Sequence, residues 1–302
     1  MGRIDDALRR AQGGAGASSL TVPDQQVFAA PWDVADPVLA VERQPATAGA
    51  RSGTLLDESG RSSFGGFSPE WAHRLVIAPD ADHGLVEQFR SLAATLHRIQ
   101  ADGVPKVLMV TSADPGEGKT LTALNLALTL SESYRQRVLL VDADLRRPSI
   151  REISQLGDIT GLTEGLKAPA DKKLSVIGLT RTLALLPAGS PDPNPMSSLT
   201  SPRMRRIVAE AAERFDWVIL DSPPLGPVAD AGLLASMVDG ALLVVRAART
   251  SYGAVAHAIE ALGRERILGV VLNGVEESEV APYGRYYGGD AAGDAAIARL
   301  RE

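Results

Sequence analysis

Apolar residues occur along the chain in short continuous runs, separated by longer segments in which they recur every three or four positions. Short runs of aliphatic residues are typical of strands that are buried on both faces of a parallel sheet. Strands are predicted at residues 106–111, 138–141, 183–186, 217–220, 241–245 and 267–272.

The segments between these runs have the period of amphipathic helices, as Leu85, Phe89 and Leu92 show most clearly. Helices are predicted at residues 85–99, 119–130, 204–214 and 255–262. Because strands alternate with helices, the expected fold is an α/β, doubly wound, mostly parallel sheet with helices on both faces.

The beginning of the chain has a different composition. Residues 13–68 are rich in Gly, Ala, Ser, Pro and Asp, so they bury too little apolar surface to offset the entropy of ordering, and a long disordered linker is expected. Residues 3–12 form either a frayed terminus or a short docking helix. We therefore divide the chain into an N-terminal segment at 1–70, a folded domain at 71–280 and a flexible tail at 281–302.

Composition limits the functional classes. Of the 302 residues, 45% are hydrophobic and 4% aromatic, which fits an aliphatic core. The net charge of −6 argues against nucleic acid as a partner. There is no cysteine, which excludes disulfides and thiolate metal sites. No apolar run approaches the roughly 20 residues that span a bilayer, and the charged start is not a signal peptide, so a cytoplasmic protein is expected.

One motif indicates a phosphate site. S-A-D-P-G-E-G-K-T follows a predicted strand and opens a predicted helix, which is the context of a P-loop. Gly116 and Gly118 let the backbone curl so that its N–H groups face phosphates. Lys119 is expected to reach the β- and γ-phosphates of ATP, and Thr120 to bind Mg²⁺. The expected nucleotide-binding residues of this loop are Asp114, Pro115, Gly116, Glu117, Gly118, Lys119 and Thr120.

Aspartates follow two of the predicted strands. Asp142 and Asp144 lie in V-L-L-V-D-A-D, and Asp221 lies in W-V-I-L-D-S-P-P. In an open parallel sheet these strand ends lie beside the phosphate loop. One of the first two carboxylates could polarise an attacking hydroxyl while the other helps to hold Mg²⁺, and Asp221 would orient the water shell of the metal. Such aspartates also serve as caps or turn formers. Beside a P-loop, however, we favour the catalytic roles.

With these motifs the chain resembles the bacterial tyrosine kinases of exopolysaccharide and capsule synthesis. The resemblance also rests on V-D-A-D-L-R-R-P, L-P-A-G-S-P-D-P-N-P and G-V-V-L-N, and it covers about residues 85–287. It implies a MinD/ParA-like P-loop NTPase fold and a protein-tyrosine autokinase. The implied catalytic residues are Lys119, Asp142, Asp144 and Asp221, and the implied metal ligands are Thr120, Asp144 and Asp221. By the same analogy Asn273 would hydrogen-bond adenine, unless it only caps its strand.

The related MinD/ParA-type ATPases carry a signature lysine in K-G-G-x-G-K-T. Asp114 stands at that position here, which favours the kinase over a partitioning ATPase. Two alternatives stay open: a P-loop switch ATPase that transfers nothing to tyrosine, and a module that binds ATP without turning it over.

Three of the five tyrosines lie in A-P-Y-G-R-Y-Y-G-G, at Tyr283, Tyr286 and Tyr287. The surrounding glycines and proline predict a flexible tail that can enter the active site of a neighbouring copy, where Asp142 would accept the hydroxyl proton. Each phosphate would add about −1.5 to −2 charges near the acidic stretch 276–279 and so disfavour assembly. The alternative is a disordered tail with incidental tyrosines.

The resemblance also implies partners. It indicates a homo-oligomer that phosphorylates itself in trans, and a transmembrane chain-length determinant or polysaccharide co-polymerase that would hold the kinase at the inner membrane. In the ring-forming motif E-x-x-R-x-x-R, Glu87 and Arg90 match but Ala93 replaces the second Arg, which leaves the ring size open. Arg146 and Arg147 are candidates for contact with phosphate or a neighbouring subunit, or form only a charged loop.

Overall fold

The sheet was traced in a computed structural model, which describes residues 32–34, 64–101, 106–169, 174–226 and 230–275. Its strands are β1 (Trp32–Val34), β2 (Val107–Ser112), β3 (Val138–Asp142), β4 (Leu174–Gly178), β5 (Leu183–Leu186), β6 (Trp217–Asp221), β7 (Gly240–Arg246) and β8 (Ile267–Asn273). They are ordered β1-β4-β5-β3-β6-β2-β7-β8. Every neighbouring pair is parallel except β4 and β5.

Helices cover both faces of this sheet. They are α1 (Pro69–Ala72), α2 (His83–Ala101), α3 (Lys119–Glu132), α4 (Ile150–Ile153), α5 (Leu162–Lys167), α6 (Met196–Leu199), α7 (Pro202–Arg214), α8 (Asp230–Ala235) and α9 (Tyr252–Leu262). Helices α2, α3 and α4 share one apolar cluster with the strands, whereas α7, α8 and α9 share the other. Ser201 and Ser251 cap α7 and α9, because each side chain accepts an N–H from three residues further on.

The apolar runs form the interior. All residues of β2, β3, β5 and β6 are buried, as expected for strands with helices on both faces. Each of the six predicted strands and four predicted helices is present, with ends that differ by at most three residues. The prediction of a doubly wound, mostly parallel sheet is therefore confirmed.

The structure adds elements that the periodicity does not show. β4 and β5 form an antiparallel hairpin, and β1 pairs with β4 although it lies within the predicted linker. Helix α1 includes the expected boundary at residue 70, and Phe64 and Phe67 before it pack on the core. The segment at residues 3–12, expected to be a frayed terminus or a docking helix, and the tail at 281–302 lie outside the described residues.

Candidate active site

The phosphate loop (residues 113–120) joins β2 to α3 at the carboxyl edge of the sheet, with β6 and β7 on either side of β2. Gly116 and Gly118 have φ values of +80° and +94°, in the left-handed region that glycine adopts at little cost. Helix α3 begins at Lys119, directly after Gly118. The loop therefore ends at a helix N-terminus, where free N–H groups and the helix dipole favour anions.

The side chains predicted to handle phosphate and metal come together at this loop. Lys119 Nζ lies 2.9 Å from Asp144 Oδ2 and 3.6 Å from Asp221 Oδ1. Thr120 Oγ1 donates a hydrogen bond of 2.7 Å to Asp221 Oδ2. Asp142 pairs with Asp221 in the register of β3 and β6. Three distant segments of the chain thus place these residues in one cluster.

Burial controls the charges of the cluster. Asp142 and Asp221 are both 0% exposed. Burial, reinforced by the charge of Asp221, raises the pKa of Asp142 well above its usual range. Burial also raises the pKa of Asp221, although Lys119 and Thr120 oppose the shift. For Lys119 burial lowers the pKa, but Asp221 and Asp144 outweigh it and the net shift is upward, so the ammonium stays charged.

The oxygen atoms of the cluster suit Mg²⁺. Thr120, Asp144 and Asp221 offer hydroxyl and carboxylate oxygens, which are the ligands that this ion prefers. Within the described residues, one oxygen each of Asp142 and Asp221 is buried without a hydrogen-bond partner. No group of three or more His, Cys, Asp or Glu side chains in that part of the chain forms a complete metal cage. Mg²⁺ usually takes further ligands from water and substrate phosphates.

A carboxylate also lies inside the phosphate loop. Glu117 is 2% exposed, its Oε2 accepts the Asp114 N–H at 2.9 Å, and its Oε1 accepts the hydroxyl of Thr250. The same hydroxyl accepts the Arg246 N–H at 3.0 Å. We call Glu117 and Thr250 the loop clamp, because together they tie the loop to the end of β7. The P-loop motif gives no reason to single out Thr250.

Two further side chains hold the loop from the ends of β7 and β8. Asn273 Nδ2 donates to the Glu117 carbonyl at 2.8 Å, and Arg246 Nη1 donates to the Gly116 carbonyl at 3.2 Å. A Cβ atom on residue 118 would lie 2.0 Å from Asn273 Nδ2, so the close approach of Asn273 requires Gly118. The predicted contact of Asn273 with adenine stays a prediction.

The two arginines after Asp144 have different surroundings. Arg146 forms an ion pair with Asp230 and donates to the carbonyl of Pro193. The backbone N–H of Arg147 donates to Asp144 Oδ1 at 3.2 Å, and its side chain forms no ion pair within the described residues. Of the two arginines, Arg147 has the more exposed side chain.

The ring motif lies on α2. Glu87 and Arg90 form an ion pair of 2.6 Å with each other, and both are about half exposed. Ala93 is 0% exposed and belongs to the core. Ala93, which occupies the position of the second arginine of the motif, is thus buried in the core of this chain. Tyr283, Tyr286 and Tyr287 lie outside the described residues.

Comparisons with known proteins identify the family. Residues 108–283 match the CobQ/CobB/MinD/ParA nucleotide binding domain. Tyrosine-protein kinase YwqD of Bacillus subtilis (strain 168) is 37% identical over 205 residues, which cover 67% of this chain and 86% of YwqD. The chain belongs to the bacterial tyrosine kinases. The interpretation as a nucleotide-binding protein-tyrosine kinase is thereby confirmed over the switch ATPase.

Other relatives of this tyrosine kinase agree. The kinase domain of Escherichia coli tyrosine kinase ETK is 31% identical with a TM-score of 0.60, covering 66% of this chain and 79% of that one. Succinoglycan biosynthesis transport protein ExoP of Rhizobium meliloti (strain 1021) is 34% identical over 210 residues. That match covers 68% of this chain but 27% of ExoP. Among the described residues of the kinase, no helix is both long and apolar enough to cross a bilayer.

Proposed function

We propose that this kinase transfers the γ-phosphate of ATP to Tyr283, Tyr286 and Tyr287 of a neighbouring copy. The observation that carries the proposal is the convergence of Lys119, Thr120 and the three aspartates at the phosphate loop. The glycine-rich sequence around the tyrosines supports them as acceptors, because a flexible tail can enter a cleft on another molecule.

The proposed roles follow from charge and position. Lys119 stays cationic beside two carboxylates, so it can bind the β- and γ-phosphates. Thr120, Asp144 and Asp221 would hold Mg²⁺. When bound, this ion neutralises the charge that develops on the phosphoryl oxygens. Asn273 lies against the loop and is the proposed adenine contact.

Asp142 is the proposed acceptor of the tyrosine proton. The tyrosine oxygen bonds to the γ-phosphorus, the bond from that phosphorus to the bridging oxygen breaks, and ADP leaves. The hydroxyl proton passes to Asp142, whose raised pKa makes it a better proton acceptor than a surface aspartate. Phosphoryl transfer is loose, so positioning matters more than base strength even for a hydroxyl with a pKa of about 10.

The biological role that we propose is the control of exopolysaccharide or capsule polymerisation or export. The name of ExoP, a succinoglycan biosynthesis transport protein, supports it. The kinase would act as a homo-oligomer in the cytoplasm, held at the inner membrane by a separate chain-length determinant or co-polymerase.

Autophosphorylation tests the proposal. Purified protein with radiolabelled ATP and Mg²⁺ should label itself, and replacing the three tail tyrosines by Phe should remove most of the label. Lys119→Met should lose about 100-fold or more in rate, as for loss of a group that stabilises transferred charge. Equal labelling of the triple variant would contradict the acceptor assignment. Phosphate release without any phosphotyrosine would instead support a switch ATPase.

A further inference from the structure

The cavity at the phosphate loop has room for more than a nucleotide. Its volume is about 1160 Å³, whereas pockets for one small molecule usually hold about 300–1,000 Å³. It reaches from Arg246 and Asn273, at the ends of β7 and β8, to Glu152 and Ile153 in α4, which follows β3. In the sheet, β7 and β8 lie on one side of β2 and β3 lies on the other. The cavity therefore extends to both sides of the phosphate loop.

One part of this cavity is apolar, and two of its five side chains are aromatic. We call it the aromatic lobe, and it is lined by Trp71, Leu85, Phe89, Leu121 and Ile153. Ile153 is buried and the other four side chains are partly buried. Leu121 directly follows Lys119 and Thr120, so the lobe adjoins the phosphate cluster. An apolar surface with two aromatic side chains, in the same cavity as the phosphate cluster, suits the ring of an aromatic substrate better than a polyanion.

The wall of the lobe is fixed in place by hydrogen bonds. Asn125 on α3 is 2% exposed, and its side chain donates to the Arg74 carbonyl and accepts the Val76 N–H, both at 2.9 Å. The Ser68 N–H donates to the Ile153 carbonyl at 2.8 Å. The segment that carries Trp71 and Arg74 is thus joined to the helix that begins at the phosphate loop.

The cationic side chain of Arg74 lies beside the aromatic lobe. The Arg74 guanidinium lies 5.2 Å from the ring centre of Trp71, and its Nε donates to His73 Nε2 at 3.3 Å. Arg74 is exposed and forms no ion pair with any described residue. The charged side chains that line the cavity are Lys119, Arg74, Arg146, Arg147 and Arg246 on the basic side and Asp82, Asp144 and Glu152 on the acidic side. The balance favours an acidic partner.

We infer that the aromatic lobe is the subsite for the acceptor tyrosine, and that Arg74 selects tyrosines preceded by acidic residues. The occupant is the tail of a second copy, in which Glu276, Glu277 and Glu279 precede Tyr283 by four to seven positions. The tyrosine ring contacts Trp71 and Phe89 while the glutamates meet Arg74. This inference rests on the proposed function and adds a substrate preference to it.

Peptide kinetics test the subsite. The full chain would phosphorylate a synthetic peptide with the sequence of residues 276–287 and a matched peptide with its three glutamates changed to glutamine. The glutamine peptide should have a KM about tenfold higher, the effect of losing a charge-assisted contact. Arg74→Glu should raise the KM of the acidic peptide by about tenfold or more on the same grounds. A lysine version of the peptide should restore binding to that variant.

Two controls isolate the effect. Arg98→Glu makes the same charge change on α2 at an exposed residue that does not line the cavity, and should leave the KM of the peptide unchanged. Phe89→Ala should raise the peptide KM without weakening the binding of a fluorescent ATP analogue. If neither Arg74→Glu nor Phe89→Ala changes the KM of the peptide, the inference is overturned.

The remaining outcomes also decide. Weaker binding of the ATP analogue by Phe89→Ala would mean that the lobe holds adenine, which overturns the inference. If the wild type labels its own tail but the lobe variants have unchanged peptide KM, the subsite falls and the proposed function stands. If the wild type phosphorylates neither tail nor peptide, both fall together.

Discussion

Asp142 is a carboxylate enclosed by protein, with one oxygen that lacks a hydrogen-bond partner in the described structure and with Asp221 opposite it on β6. A buried charge with little compensation destabilises a fold, because it gives up its hydration. Catalysis explains why such a group is present, since a proton acceptor works best beside the reacting hydroxyl.

We expect Asp142→Asn to stabilise the fold by about 1–3 kcal/mol at neutral pH while slowing phosphotransfer about 100-fold. The pKa of Asp142 is raised in the folded state, so between the ordinary aspartate range and that raised pKa the native protein keeps a proton that the unfolded chain has lost. Wild-type stability should therefore fall as pH rises from the ordinary aspartate range to the raised pKa, and be level above it. Asp142→Asn should lack that fall.

Urea denaturation across this pH range, without Mg²⁺, measures the difference. Asp144→Asn is the matched control, because Asp144 pairs with Lys119 at 2.9 Å and its loss leaves that buried ammonium with less compensation. Equal stability of Asp142→Asn and wild type at every pH would show that the carboxylate is better solvated than its burial indicates.

The loop clamp concerns the shape of the phosphate loop. Glu117 fixes the Asp114 N–H, and Thr250 fixes Glu117. We expect Thr250→Val to raise the KM for ATP about 3- to 10-fold, the effect of one net hydrogen bond, with a smaller change in kcat. Thr250→Ser keeps the hydroxyl and should restore the KM. If Val and Ser variants bind ATP equally well, the clamp does not shape the loop.

At the scale of elements, helix α2 shows that a sequence motif must be compared with the burial of each of its positions, as the ring motif on this helix illustrates. Ala93 is 0% exposed, whereas its neighbour Ala94 faces solvent. Ala93→Arg should lower the free energy of unfolding by about 3 kcal/mol or more, because it forces a charge into the core. Ala94→Arg should change it by less than about 0.5 kcal/mol. Thermal unfolding of both variants makes the comparison, and an Ala93→Arg protein of normal stability would mean that the position opens to solvent.

The elements found from the sequence are those with the strongest patterns. β2, β3 and β6 are continuous apolar runs because helices cover both their faces, so their positions follow from the letters alone. The sequence does not predict β4, because its apolar run L-S-V-I-G is short and interrupted by a serine. Its antiparallel pairing with β5 depends on tertiary packing, which the sequence pattern does not show. Helices α5 and α8 have six residues each, too few for a helical period to show.

The site divides in the same way. Lys119, Thr120 and Asp221 were predictable because sequence motifs follow strands, and strand ends meet at one edge of a parallel sheet. Thr250 and Asn125 act through hydrogen bonds between segments that lie 133 and 49 to 51 positions apart, respectively. No spacing rule relates such segments, so only the folded chain reveals these contacts.

For the whole molecule, charge links catalysis to assembly. The chain has a net charge of −6, and three phosphotyrosines would add about −1.5 to −2 each. We expect incubation with ATP and Mg²⁺ to shift the protein toward smaller species in light scattering. The shift should weaken as salt rises, since charges are screened over about 10 Å at 0.1 M. The variant with all three tail tyrosines changed to Phe should not shift, and an equal shift in that variant would exclude tail phosphate as its cause.

The order of the strands in the sheet also determines when each strand can pair during synthesis of the chain. β2 is synthesised early, but its neighbours β6 and β7 are synthesised late. The hydroxyl of Thr111 at the end of β2, for example, donates to the carbonyl of Pro223, which lies 112 positions further along the chain. At about 5–20 residues per second, a ribosome takes on the order of ten seconds to supply that segment. Until that segment is synthesised, the apolar strand β2 cannot pair with β6 or β7. Such late pairing of distant strands is usual for slow-folding parallel sheets. A nascent chain that stops before β6 carries the whole phosphate-loop sequence, yet it lacks the strand that supplies Asp221.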